Sequence, residues 1–161
     1  MLIIRFFHNE EELQVNGTTY KATCKVKNEI NKERSKTQVV NSLPLSGDVT
    51  PYYPRKFPTG LWEVKKPVWT DDPMFWPVKI PTNAKRPCMT WNVKHKKYDS
   101  PTGEYQNDAY YHIHYSKNYR TTLGCIRANS KEDAGEIAKL VEWYFEKNQK
   151  VYLEVMISKE L

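Results

Sequence analysis

Strict alternation of apolar and polar side chains marks both ends of the chain. Near the N-terminus, Leu13-Gln-Val15 is followed by Asn16-Gly17 and then by Thr19 to Lys27, where Tyr20, Ala22, Cys24 and Val26 alternate with Thr19, Lys21, Thr23 and Lys25. A period of two gathers each set on one face of a strand. Asn-Gly between two such stretches is the strongest short hairpin signal, because both residues accept the positive φ of a type I′ turn. Cys24 falls on the apolar face, which predicts a buried structural thiol. Near the C-terminus, Val151, Leu153, Val155 and Ile157 alternate with Tyr152, Glu154 and Met156, predicting a closing strand over 150–158.

The period changes only once, just before that strand. Ser130-Lys-Glu-Asp133 resembles a capping box with Asp in place of the usual Glu or Gln. Beyond it, Ala134, Ile137, Ala138, Val141, Tyr144 and Phe145 fall on one helical face. Glu132, Asp133 and Glu136 lie toward the positive end of the helix dipole, and Lys147 and Lys150 toward the negative end. Elsewhere strands are expected at Met1–Phe7, 61–68, 87–95 and 108–116, with Asp99-Ser-Pro-Thr-Gly103 as a turn. Residues 28–58 are polar and then rich in Ser, Pro, Gly and Tyr, and read as a long loop region with a short strand around Thr37 to Val40. Its aromatic content suits a substrate-facing loop. The fold class is mainly β with one main helix, a β-rich α+β protein.

Length and composition narrow the class. The chain has 161 residues, 39% of them hydrophobic, enough for a single domain over 1–161. No apolar run approaches the roughly 18 residues that cross a bilayer. Arg5 interrupts the apolar opening and His8-Asn-Glu-Glu-Glu12 follows it, so the N-terminus reads as a strand rather than a signal peptide. The three cysteines, Cys24, Cys88 and Cys125, form neither a CxxC pair nor an evident disulfide framework. A formal charge of +6 favours an anionic partner without choosing among nucleic acid, acidic lipid and wall polymer.

The chemistry concentrates in one stretch. Tyr110, His112 and His114 share one face of the expected strand, with Tyr111, Ile113 and Tyr115 on the other. After a polar segment comes Thr122-Leu-Gly-Cys-Ile-Arg127. A thiol becomes a useful nucleophile as thiolate, and an imidazole that takes its proton favours that form. Gly124 permits close approach of a substrate, and the amides of Gly124 and Cys125 suit the oxyanion of a tetrahedral intermediate. Arg127 is a candidate clamp for a substrate carboxylate. Read by themselves, one His and one Cys more readily suit a half-buried strand residue and a core thiol than a catalytic pair.

The order His114, Thr122-Leu-Gly-Cys-Ile-Arg127 and capped helix resembles the L,D-transpeptidase (YkuD-like) signature, Ser/Thr-x-Gly-Cys-Val/Ile-Arg preceded by a strand His. Phe57-Pro-Thr-Gly60, leading into Leu61-Trp-Glu-Val64, is similar to the family's upstream segment; Pro101-Thr-Gly-Glu-Tyr105, a second copy, is read as part of a turn. Leu123 stands where most members have a second His, Tyr115 where Gly commonly follows the strand His, and the interval from His to Cys is short. The resemblance is therefore to a divergent, compact branch, like wall-targeting secretion toxins or phage-encoded relatives. It implies an L,D-transpeptidase-like β-sandwich or barrel and attack by Cys125 on a peptidoglycan stem tetrapeptide, with His114 as base and Gly124 at the oxyanion. Arg127, His112, Thr122 and Tyr115 would contact substrate. Water, a diaminopimelate amine or a free D-amino acid would accept the acyl group. No cofactor or metal is implied. Partners would be stem peptides and a cognate immunity or delivery protein. The expected place of action is the periplasm or wall, reached through a secretion system or phage lysis.

Two other readings compete. A zinc site from His112, His114 and Cys125 is chemically reasonable but lacks a fourth ligand at recognisable spacing. A non-catalytic module gripping wall glycan or nucleic acid would use the Lys, Arg, Tyr and Trp side chains. No nucleic-acid-binding motif surrounds those aromatics, so core packing explains them as well. Papain-like wall peptidases place Cys before His, the reverse of the order here.

Overall fold

The computed structural model describes residues 1–24, 49–50, 57–72, 76–92, 94, 97–107, 111–117 and 125–160. In chain order the strands are β1 (Leu2–Phe7), β2 (Glu12–Val15), β3 (Thr18–Thr23), β4 (Val49–Thr50), β5 (Gly60–Glu63), β6 (Val68–Trp69), β7 (Val78–Pro81), β8 (Lys85–Asn92), β9 (Lys97–Asn107), β10 (His112–His114), β11 (Ile126–Ala128) and β12 (Val151–Met156), with helix α1 at Lys131–Glu146 between the last two. Nine strands form one sheet in the order β5-β12-β1-β2-β3-β11-β10-β7-β6, and β4-β8-β9 form a second. The architecture is mostly β with one described helix, as expected for a β-rich α+β fold.

The nine-stranded sheet curls into a half-barrel because one segment supplies both of its ends. β5 pairs with β12, and β6, five residues further on, pairs with β7. Between them Val64 bridges Thr82, Lys65 N–H donates to Pro81 O, and Asn83 N–H donates to Glu63 O. The expected strand over 61–68 is thus two short strands joined by this crossing. Gly60 opens β5 at φ +141, and a Cβ there would meet the Trp62 ring at 3.3 Å. Trp62 Nε1 in turn donates to Pro58 O. The Pro-Thr-Gly segment therefore shapes the sheet edge.

The hairpin forms as its sequence predicts. Asn16 and Gly17 take φ of +49 and +84 between β2 and β3. Cys24 is buried and its sulfur accepts from Phe57 N–H, so this thiol is structural. One contiguous core joins Ile4, Phe6 and Leu13 to Ile80, Ile113, Ile126 and Leu153. Ala134, Ile137, Ala138 and Val141 bury the predicted face of α1, which packs on β7, β11 and β12.

One turn is corrected. Asp99 to Gly103 lies within β9, which runs unbroken from Lys97 to Asn107. The register shifts between Pro87↔Tyr105 and Met89↔Pro101, leaving three residues of β9 opposite one of β8. The Pro and Gly that signalled a turn are accommodated as a bulge, which inserts extra residues without ending a strand. The strand expected at 108–116 is short, His112 to His114. The expected strand near Thr37 to Val40 lies outside the described residues.

The helix start gives a direct test of the local reading. Ser130 Oγ accepts from Asp133 N–H at 3.1 Å. Ser130→Ala should destabilise the fold by about 1 kcal/mol, the usual cost of losing an N-cap. Urea denaturation should show a lower midpoint with an unchanged slope.

Candidate active site

Buried polar groups gather on β10 and β11. Among the described residues the buried polar or charged ones are Thr82, His112, His114, Ser116 and Arg127. Four of these five belong to β10, β11 or the segment just after β10. Interiors rarely retain such groups, so their clustering is the informative feature of the map.

Register explains which groups meet. β10 and β11 run parallel, with Ile113 level with Ile126 and His114 level with Arg127. Ile113 and Ile126 enter the core. The intervening side chains, His112, His114 and Arg127, therefore share the opposite face. Cys125, one residue before β11, falls level with His112. Its Sγ lies 3.9 Å from His112 Nδ1, and the thiol remains partly exposed.

This geometry sets the two histidines apart. The family resemblance implied His114 as the base. In a parallel pair the level partner lies further back, and His112 is the imidazole beside the sulfur. His114 is buried, and its Nδ1 has no hydrogen-bond partner among the described residues. Burial first, then the charges of His112 and Arg127, push its pKa from 6.5 down to about 3. A group so reluctant to take a proton is a poor general base near neutral pH.

Arg127 is bonded within the fold. Its Nε and Nη2 donate to Ser116 O at 3.2 and 2.9 Å, and Nη1 donates to Ala128 O. Its guanidinium lies 4.9 Å from the Tyr115 ring. These bonds fasten the end of β10 to β11, and the Tyr115 ring packs on the guanidinium. Gly124 and Thr122, expected at the oxyanion and substrate, lie outside the described residues, as does Tyr110.

Sequence reasoning missed Trp76. Its ring centroid lies 5.6 Å from that of His114 and 6.5 Å from that of His112. Lys79 Nζ sits 4.1 Å from the same indole. Thr70 Oγ1 donates to Trp76 O, fastening the backbone there. A Trp set against Pro77 is a rigid, bulky wall, and that flanking proline was the available signal. Among the described residues no group of three or more His, Cys, Asp or Glu is arranged to hold a metal ion, so the zinc trio is not assembled.

With this geometry in hand, the comparison with known families is decisive. Residues 31–153 match the YkuD family, L,D-transpeptidase catalytic domain. The chain belongs to that family. Comparison with curated proteins and with solved structures finds no match. YkuD membership makes the domain one of an enzymatic family and implies a peptidoglycan substrate. The matched span contains Cys125, both histidines, the Pro58-Thr-Gly60 segment and α1. No helix among the described residues is long and apolar enough to cross a membrane.

The buried His114 makes stability depend on pH. Above pH 6.5 it is neutral in both folded and unfolded chains. Between pH 6.5 and about 3 the unfolded chain takes the proton and the folded one does not, so acid progressively destabilises the fold. The melting temperature should fall from pH 7 to pH 4, and His114→Gln should flatten that slope. An unchanged slope would mean that His114 is not held neutral by the fold.

Proposed function

We propose that this YkuD domain is a cysteine-dependent acyltransferase on peptidoglycan stem peptides, with Cys125 as nucleophile and His112 as base. The observation that carries the reading is the 3.9 Å contact between Cys125 Sγ and His112 Nδ1 at a partly exposed thiol. His112 takes the thiol proton, and the thiolate adds to the carbonyl between the L and D centres. The amides around Cys125, with Gly124 beside it, hold the oxyanion. Collapse breaks the C–N bond, the imidazolium returns its proton to the departing D-amino acid, and an acyl-thioester remains on Cys125. An incoming amine or water then takes the acyl group through the same imidazole. The rest of the β10–β11 face serves this pair: Arg127 fixes the strand ends, and Trp76 walls the histidines. Such a substrate places the protein's work in the periplasm or at the cell wall.

Incubation with tetrapeptide muropeptides, read by mass spectrometry, tests the proposal. Wild type should release or exchange the terminal D-alanine, and Cys125→Ala should be inert. His112→Ala should lose about a hundredfold in rate, the usual worth of a general base, with a smaller loss in His114→Ala. A greater loss in His114→Ala than in His112→Ala would return the base role to His114. Full activity in Cys125→Ala would remove the thiol from the chemistry.

A further inference from the structure

A cavity of about 550 Å³ opens between the β6–β7 hairpin and the first turns of α1, a size typical of small-molecule sites, which run from roughly 300 to 1,000 Å³. It lies on the opposite side of the sheet from the histidines. Val68 is level with Lys79, and Lys79 with His114, so these share one face. Trp69 is level with Val78, which is buried in the core, and both turn toward α1. Trp69 is 47% exposed, and its indole N–H donates to Glu142 of α1. That bond fixes the ring and leaves its face to the cavity it lines.

Part of the cavity wall is a glycine that the helix does not need. Gly135 lies inside α1, where glycine is destabilising relative to alanine. It lies outside the left-handed region, and a Cβ built on it would meet nothing within 4 Å, so neither strain nor crowding calls for glycine there. Its one effect is to leave bare backbone in the cavity that Trp69 lines. Lys131 and Lys139 stand one turn to either side of it on the same helix face.

Asp71, Glu132 and Glu136 line the cavity together with Lys131 and Lys139, so acceptors and donors both surround the aromatic face. Glu136 accepts from Tyr20 O–H at 3.1 Å through Oε2 alone. An apolar side chain of a protein partner would strip these charged groups of water without pairing them. A nucleic acid would bring phosphates against three carboxylates and only two ammonium groups. A pyranose ring fits both features, because its C–H face stacks on an indole while its hydroxyls donate to carboxylates and accept from lysines. We propose that this cavity is a carbohydrate-binding site, separate from Cys125, that seats a pyranose ring of a glycan. The acyl-transfer reading enters only in naming that glycan, the N-acetylhexosamine backbone that carries the stem peptides. Thr70 N–H donates to Pro77 O at 3.0 Å and Thr70 Oγ1 to Trp76 O. One fastened hairpin end thus carries the sugar platform, Trp69, and the wall of the histidines, Trp76.

The test titrates the linear tetramer of N-acetylglucosamine into the protein by calorimetry. Wild type and Cys125→Ala should bind it alike. Trp69→Ala should weaken binding about tenfold, one lost aromatic stack, whereas Trp69→Phe, which keeps a ring face without the indole N–H, should lose much less. Gly135→Leu, whose side chain grows into the cavity, should abolish binding without lowering the melting temperature, because leucine is the better helix former; that combination separates a filled site from a damaged fold. Trp143→Ala, which removes a half-exposed indole outside the cavity, should bind as wild type does. No binding by wild type, or equal binding by wild type, Trp69→Ala and Gly135→Leu, would overturn the proposal. So would tighter binding of a single-stranded oligonucleotide that the same two variants lose. These measurements need no turnover, so failure of the acyl-transfer reading appears separately, as the absence of any acyl adduct on Cys125 when wild type meets a tetrapeptide donor.

Discussion

Parallel pairing of β10 with β11 is the constraint on which the site depends. It sends Ile113 and Ile126 into the core together, which leaves His112, His114, Cys125 and Arg127 on the other face. A slip of one residue would put two isoleucines on the polar face and the imidazoles in the core, so burial of the isoleucines fixes the register. The guanidinium of Arg127, with two bonds to Ser116 O, fastens the end of the pair. The 3.9 Å approach of sulfur to imidazole follows from that registration, together with the position of Cys125 just outside the strand.

The same face divides its two histidines between different environments. His112 lies beside the partly exposed thiol, whereas His114 is buried, with its Nδ1 unpartnered among the described residues and its pKa depressed. Two chemically identical side chains, two residues apart, thereby meet different surroundings, and burial holds His114 neutral. Burying an unpaired ring nitrogen costs stability, on the order of 1–3 kcal/mol for such a group. The fold bears that cost where the family match places the catalytic domain, consistent with destabilising polar groups gathering at working sites.

Local signals made much of the fold legible. Asn16-Gly17, Ser130 with its apolar helical face, and the alternation of Val151 to Met156 each depend on near neighbours, and each appears where the pattern puts it. Nonlocal geometry was not legible. Whether the strand after Cys125 runs parallel or antiparallel to the histidine strand cannot be read from spacing, and that orientation decides which imidazole meets the sulfur. Arg127 looked like a ligand clamp because nothing in the sequence shows Ser116 O beneath it. Asp99 to Gly103 looked like a turn because a bulge uses the same residues.

If His112 draws the proton from Cys125, the reactivity of that thiol reports it. Alkylation by iodoacetamide at neutral pH, followed at Cys125 by peptide mass spectrometry, should be about tenfold slower in His112→Ala than in wild type, with a much smaller change in His114→Gln. Equal alkylation rates in wild type and His112→Ala would mean that His112 does not activate the thiol.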